Sequence, residues 1–195
     1  MQRFAAGRGK LASTLESLAA WRPRFPPGRI EAVYLHWSGG DYGSSFPAYH
    51  YCIGLRGDGV GVARTNDLRA NMRNVSSGGA YAAHTLGRNS FSAGIAALGM
   101  EGATPEDFGR YPLVPELIDG LCRVGAAIAA AYGIPVDRHH VLTHAEAAIL
   151  DGYFGSGDDE RWDIARLRPD PKPLVSQDAL DAGDELRARI AAYAR

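Results

Sequence analysis

The chain has 195 residues, a formal net charge of −1, 46% hydrophobic residues and 22% charged residues. This is the length of one domain with ordinary globular usage, which excludes a disordered chain. A charge so close to zero excludes a nucleic-acid binder that relies on a general basic field.

A chain this long buries roughly 70% of its unfolded surface and needs neither disulfide nor metal merely to fold. Cys52 and Cys122 are the only cysteines. Two cannot make a disulfide framework, and both sit in apolar stretches, so they read as buried thiols. No run of about 18 apolar residues occurs, so no membrane span is expected. The N-terminal stretch MQRFAAGRGKLASTLESLAAWRPRF lacks the continuous apolar core of a secretory signal. The expectation is a protein made in the cytoplasm without a signal peptide.

Apolar positions at helical spacing predict a helix over residues 10–21, broken by the three prolines of RPRFPPG (22–28). Residues 1–28 thus read as an N-terminal helix and linker. IEAVYLHW (30–37) reads as a strand ending in a Gly/Ser loop (38–47). AYHYCIGL (48–55) is a second strand, turned by RGDG (56–59) into VGVART (60–65); Asp-Gly between two β-rich runs is a hairpin signal. Residues 66–80 read as loop with one helical turn. FSAGIAALGM (91–100) is a strand whose small residues suit a crowded central position, and 101–112 is a surface loop.

Residues 113–133 form the clearest helix, with Leu117, Leu121, Val124, Ile128 and Ala131 at three- and four-residue steps. Gly133 is placed to stop it and Pro135 follows. RHHVLTH (138–144) reads as a short strand and 152–160 as a Gly/Asp loop. RWDIARL (161–167) opens the last compact piece, 170–173 is a break, and 176–194 is a C-terminal helix. The expected fold is a single α/β domain with a central mixed sheet flanked by helices. Its organisation is 1–28 as lead-in, 29–169 as the domain, and 170–195 as a helical extension packed on it.

Two of the six histidines, His36 and His144, lie at predicted strand ends, where α/β proteins place their sites. Asp163 follows the Gly/Asp loop; Asp158 and Asp159 compete with it but read as solvated loop residues. A His, His, Asp set on zinc leaves a fourth position open, the catalytic arrangement, and water there becomes a usable nucleophile near pH 7. No local metal motif such as HExxH is present. Taken singly, each histidine reads equally as a core or surface residue, and spacing alone leaves both readings open.

Four blocks resemble the type 2 N-acetylmuramoyl-L-alanine amidase family, which includes the phage T7-type lysozymes and resembles the peptidoglycan recognition proteins. They are YLHWSGG around His36, AYHYCIGLRGDG, HTLGRNSFSAGI (84–95), and VLTHAEA (141–147) followed by RWD (161–163). The third block is the most specific. The family pattern His-x-x-Gly-x-Asn-x-x-Ser-x-Gly-[Ile/Val] is matched by His84, Gly87, Asn89, Ser92, Gly94 and Ile95. The resemblance spans about residues 30–168.

The resemblance implies an amidase-like fold, a Zn2+ held by His36, His144 and Asp163, and hydrolysis of the amide between N-acetylmuramic acid and L-alanine in peptidoglycan or a muropeptide. It implies a proton shuttle at Tyr49, where the T7-type branch carries a tyrosine. A family lysine two residues before the third ligand is Arg161 here, which keeps the charge but cannot transfer a proton. Glu146 is the fallback acid or base, with a supporting or surface role as its competitor. His84 and Asn89 are candidates for the substrate side, and for both the competing role is to hold the loop, as with Ser92. Trp37 and Tyr42 are candidates to line the cleft, with plain packing as the alternative for Trp37. His50, on the opposite side of its strand from Tyr49, reads as structural. The competing readings are a non-catalytic peptidoglycan-binding module, a zinc peptidase cutting the stem peptide, and a metal-free structural domain. Within the amidase reading, an endolysin that lyses the cell wall, a cytoplasmic recycling enzyme and a delivered toxin remain side by side.

Overall fold

Eight strands, three α-helices and two single-turn 3-10 helices form within the described residues, 11–12 and 15–194, of this computed structural model. The strands are β1 (Leu11–Ala12), β2 (Glu16–Ser17), β3 (Ala32–Trp37), β4 (Ser44–Ser45), β5 (Tyr51–Arg56), β6 (Gly59–Arg64), β7 (Ser92–Ala97) and β8 (Val141–Thr143). The α-helices are α1 (Pro115–Tyr132), α2 (His144–Asp151) and α3 (Ser176–Tyr193). Six strands make one mixed sheet in the order β2-β6-β5-β7-β3-β8. β5, β7, β3 and β8 run parallel to one another, and β6 and β2 are added at one edge, each antiparallel to its preceding neighbour in the sheet. β1 and β4 pair separately. The expected single α/β domain with a mixed sheet flanked by helices is what forms.

Side-chain alternation assigns the two faces. Val33 and Leu35 of β3 and Ala93, Ile95 and Ala97 of β7 enter the main core with Leu117, Leu121, Val124 and Ile128 of α1. Pro115 begins α1 and Gly133, left-handed at φ 64°, ends it. The remaining member of the predicted stripe, Ala131, is exposed. The opposite sheet face carries Tyr34 and His36 from β3, and Ser92, Gly94 and Ala96 from β7. Small groups on the central strand leave room there for rings to lie on the sheet. α3 packs on α1 and α2 and so joins the helical layer to the end of β8.

Three expectations need correction. Of the predicted helix over 10–21, residues 10, 13 and 14 lie outside the described residues, and the rest is not helical. Leu11–Ala12 and Glu16–Ser17 are strands, and Glu16–Ser17 pairs with Val62 and Gly61 on the sheet edge. The edge of β6 offers unpaired backbone groups, and Gly61 lets the incoming chain close in. A Cβ there would meet Leu15 Cβ at 2.6 Å. Second, Tyr49 lies in a turn just before β5 rather than on the strand. Third, the strand expected over 138–144 is only Val141–Thr143, and His144 is the first residue of α2.

Cys52 and Cys122 are free and buried, as expected, and burial pushes their thiols up to about 11 and about 12. No helix among the described residues is long and apolar enough to cross a membrane.

Candidate metal centre

The parallel strands β3 and β8 end side by side, with Leu35 registered on Thr143. The next residue of each chain is therefore a histidine at the same end of the sheet. Thr143 also starts α2: its hydroxyl accepts from the Glu146 N–H (3.1 Å), and a Glu146 oxygen accepts from the Thr143 N–H (2.9 Å). This capping box fixes the first turn of α2, and with it His144. The third group arrives by a loop closed by a bridge between Phe154 and Arg161. Trp162 to Ala165 then form a turn, with the Ala165 N–H donating to the Trp162 carbonyl at 2.7 Å. Ile164 takes φ 61° in that turn, a conformation that β-branched residues rarely adopt and that costs about 1–3 kcal/mol. Its buried side chain and the Ala145 N–H, which donates to the Asp163 carbonyl (3.1 Å), hold the turn on α2.

Three polar atoms converge as a result. His36 Nδ1 lies 3.1 Å from His144 Nδ1 and 3.0 Å from Asp163 Oδ2, and the last two are 2.8 Å apart. A tetrahedral ion with bonds of about 2.0–2.1 Å separates its ligand atoms by about 3.3 Å. The observed triangle is close to one face of such a tetrahedron. The donor chemistry fits as well: two imidazoles and one carboxylate suit zinc. His36 is fully buried, and His144 and Asp163 are buried beside it. These residues are a group able to hold a metal ion.

Their protonation suits that role. Burial lowers the His36 pKa to about 4, against the opposing pull of Asp163 beside it. Burial opposes ionisation of Asp163, but His144, by charge and hydrogen bond, outweighs it, with His36 adding to the effect, and the carboxyl is held well below its usual range. At neutral pH His36 is neutral and Asp163 is ionised, as metal ligands must be. Burial also raises the Tyr49 phenol, with the Asp163 charge adding to it.

Tyr49 stands at the site. Its ring centroid is 5.1 Å from that of His36, and its hydroxyl donates to the Trp37 carbonyl at 3.4 Å. Arg161 is close enough to Tyr49 to pull the phenol pKa back down, while its guanidinium donates to the Glu160 carbonyl (2.5 Å). For three other candidates the structure favours the competing, structural role. Glu146 is not free to act as acid or base: its oxygens cap α2 and receive both Arg187 terminal nitrogens (2.8 and 2.9 Å). Trp37 alternates to the α1 side of the sheet, away from His36, and packs edge-on to Trp162 at 5.2 Å. Asn89 holds the loop: its side-chain oxygen accepts from the backbone N–H of His84 and of Thr85, both at 3.0 Å.

His84 is likewise internal to the protein. Its Nδ1 lies 2.9 Å from Thr85 Oγ1 and its Nε2 3.3 Å from Ser92 Oγ, so neither nitrogen is left for substrate. The ring rests directly on Gly94, where an added Cβ would come within 2.2 Å of it. We expect Gly94→Ala to destabilise the protein by roughly 1–3 kcal/mol, the cost of overpacking a closed core, read as a lowered urea midpoint. An unchanged midpoint would show that the ring can move aside. His50, structural as expected, accepts from the Gly94 N–H through Nδ1 (3.0 Å).

Burial lowers the His50 pKa to about 4. The unfolded chain binds this proton near pH 6.5 and the native protein does not, so stability rises with pH between these values. The contribution is complete above pH 6.5 and is lost as pH falls toward 4, by up to about 3 kcal/mol. Chemical denaturation in chelator at pH 7, 5.5 and 4.5 measures it. His50→Gln, which cannot titrate, should show a shallower fall; an equally steep one would place the effect elsewhere.

Sequence reading missed Thr85, Asn71 and Arg187. Asn71 clamps the loop, donating to the carbonyls of Ala82 (2.9 Å) and Asn89 (2.8 Å). The Thr143-x-x-Glu146 capping pattern was a visible signal for α2 and for the role of Glu146; Asn71 and Arg187 act across long sequence distances with no local mark. No family model matches the chain, and no curated protein matches it.

Proposed function

We propose that this chain is a zinc-dependent N-acetylmuramoyl-L-alanine amidase of the type 2 family that its sequence resembles. Its reaction would be hydrolysis of the amide joining the lactyl group of N-acetylmuramic acid to L-alanine in peptidoglycan. The observation that supports this reading is the meeting of His36, His144 and Asp163 in one buried triangle. They come from three distant chain positions, and they are the three positions that the resemblance designates.

Zinc held by these residues would supply Lewis-acid polarisation of the amide carbonyl and an activated water at neutral pH. The protein's own part is to keep the His36 imidazole neutral and Asp163 ionised. Tyr49 keeps its proton through neutral pH and can donate to the reacting carbonyl or the leaving amine. Arg161 adds fixed positive charge on the same side and takes no proton. Asp163 gives the ligand set a single negative charge.

The test is digestion of purified sacculi by zinc-loaded protein, followed by mass spectrometry. The expected products are stem peptides with a free L-alanine amine and intact glycan strands. New amines inside the stem peptide would make the protein a peptidase. Binding without cleavage would make it a recognition module.

A further inference from the structure

A buried chain of hydrogen bonds leads away from the metal centre. Thr85 Oγ1 lies 3.3 Å from His36 Nε2 and 2.9 Å from His84 Nδ1. His84 Nε2 lies 3.3 Å from Ser92 Oγ, which is 2.8 Å from the Arg88 carbonyl. His36, Thr85, His84 and Ser92 are each no more than 5% exposed, so the hydrogens along this path can be counted.

The count starts at the far end. A carbonyl only accepts, so Ser92 donates its one hydrogen to Arg88 and must accept from His84 Nε2–H. Neutral His84 then carries a lone pair on Nδ1, and Thr85 donates to it. Thr85 has no second hydrogen, so it must accept from His36 Nε2–H. His36 Nδ1 is left with its lone pair turned toward His144 and Asp163.

We propose that Thr85 is a positioning residue that, through His84 and Ser92, fixes His36 in the Nε2–H tautomer and so presents Nδ1 as a metal ligand. The inference rests on the metal reading of this site. Its physical content is a competition. Asp163 Oδ2, 3.0 Å from His36 Nδ1, draws the imidazole proton to Nδ1 whenever no metal is bound. Thr85 draws it to Nε2. Asn89 fixes the backbone of Thr85, so the hydroxyl keeps its place. A ligand histidine anchored through its other nitrogen is oriented and made more basic toward the metal.

Two readouts test this. In metal-free, 15N-labelled protein near pH 7.5, imidazole 15N shifts report the tautomer directly. Wild type is expected to show His36 as Nε2–H. Thr85→Val, similar in shape but without the hydroxyl, is expected to let Asp163 win and to show Nδ1–H. In chelator competition, Thr85→Val should bind zinc about 10- to 100-fold more weakly. Thr85→Ser, which keeps the hydroxyl, should restore most of that affinity. Nδ1–H in wild type, full affinity in Thr85→Val, or equal loss in Thr85→Ser and Thr85→Val would each overturn the proposal. If wild type binds no zinc, the metal reading fails, and the tautomer measurement decides this inference alone.

Discussion

If the proposed site takes one zinc per chain, Asp163→Ala is expected to bring that stoichiometry to near zero at micromolar metal. Asp163 supplies the one charged atom of the triangle, with Oδ2 touching both imidazoles. Without it two imidazole nitrogens remain, too few to hold an ion against a chelator. The loss should exceed the about 10- to 100-fold typical of changes in groups that only support a ligand. Any amidase activity should fall with the metal. The fold should survive, because Asp163 meets α2 through its backbone carbonyl, which the substitution keeps. Elemental analysis after dialysis, with circular dichroism to check folding, gives the answer. Full zinc in the variant would move the third ligand to another residue, and the neighbouring loop carboxylates Asp158 and Asp159 would be examined first. Loss of zinc with retained activity would leave the metal site standing and remove it from the reaction.

The triangle was legible because its members sit where local pattern is informative. His36 ends an apolar strand, His144 follows another, and Asp163 stands in an RWD segment after a Gly-rich loop. The resemblance joined the three; periodicity alone did not. The surrounding groups were harder to assign. Glu146 lies two residues after the candidate ligand His144, and sequence distance suggested chemical nearness. On a helix, the residue at i+2 turns to another side, and Glu146 turns to α3. For Trp37, strand alternation decides between the cleft and plain packing: neighbouring strand residues face opposite ways, so Trp37 cannot share the His36 face and packs against the core. Thr85 gave no signal beyond its place beside His84, since a lone hydroxyl acquires its meaning from the ring folded against it.

The fold was legible where one element could be recognised by itself. α1 carries its own apolar stripe, its own proline start and its own glycine stop. Residues 15–18 show how such a reading fails. Leu15 and Leu18 are spaced as on a helix, yet the segment lies along β6, and the Leu18 N–H donates to the Val60 carbonyl at 2.9 Å. A sheet edge far along the chain overrode the local preference, as tertiary context commonly does. α2 escaped notice for another reason. It has eight residues and is buried at its start, so no polar face marks it; its only local sign is the cap.

Arg187→Ala is expected to cost about 3–5 kcal/mol, the usual penalty for leaving one member of a buried ion pair alone. For a chain of this length that lowers Tm by roughly 10 °C. Arg187 on α3 meets both oxygens of Glu146, donates to the Val141 carbonyl (2.9 Å), and pairs with Asp184. α3 comes so close here that a Cβ on Gly183 would lie 2.3 Å from the Glu146 carboxyl carbon, leaving little space for water to replace the guanidinium. Removing it strands the Glu146 carboxylate, which also caps the helix that begins with His144. The damage should therefore reach the candidate metal centre, and any zinc affinity should fall together with stability, although Arg187 is not among the proposed ligands. The double variant Glu146→Gln, Arg187→Met separates charge from shape. It removes both charges and keeps most of the volume, and it should recover most of the lost stability. Urea denaturation of the single and double variants in chelator, with zinc titration of each, measures both effects. A loss below 1 kcal/mol for Arg187→Ala would mean that α3 merely covers the domain; a large loss that the double variant leaves unrepaired would assign its hold to packing rather than to the ion pair.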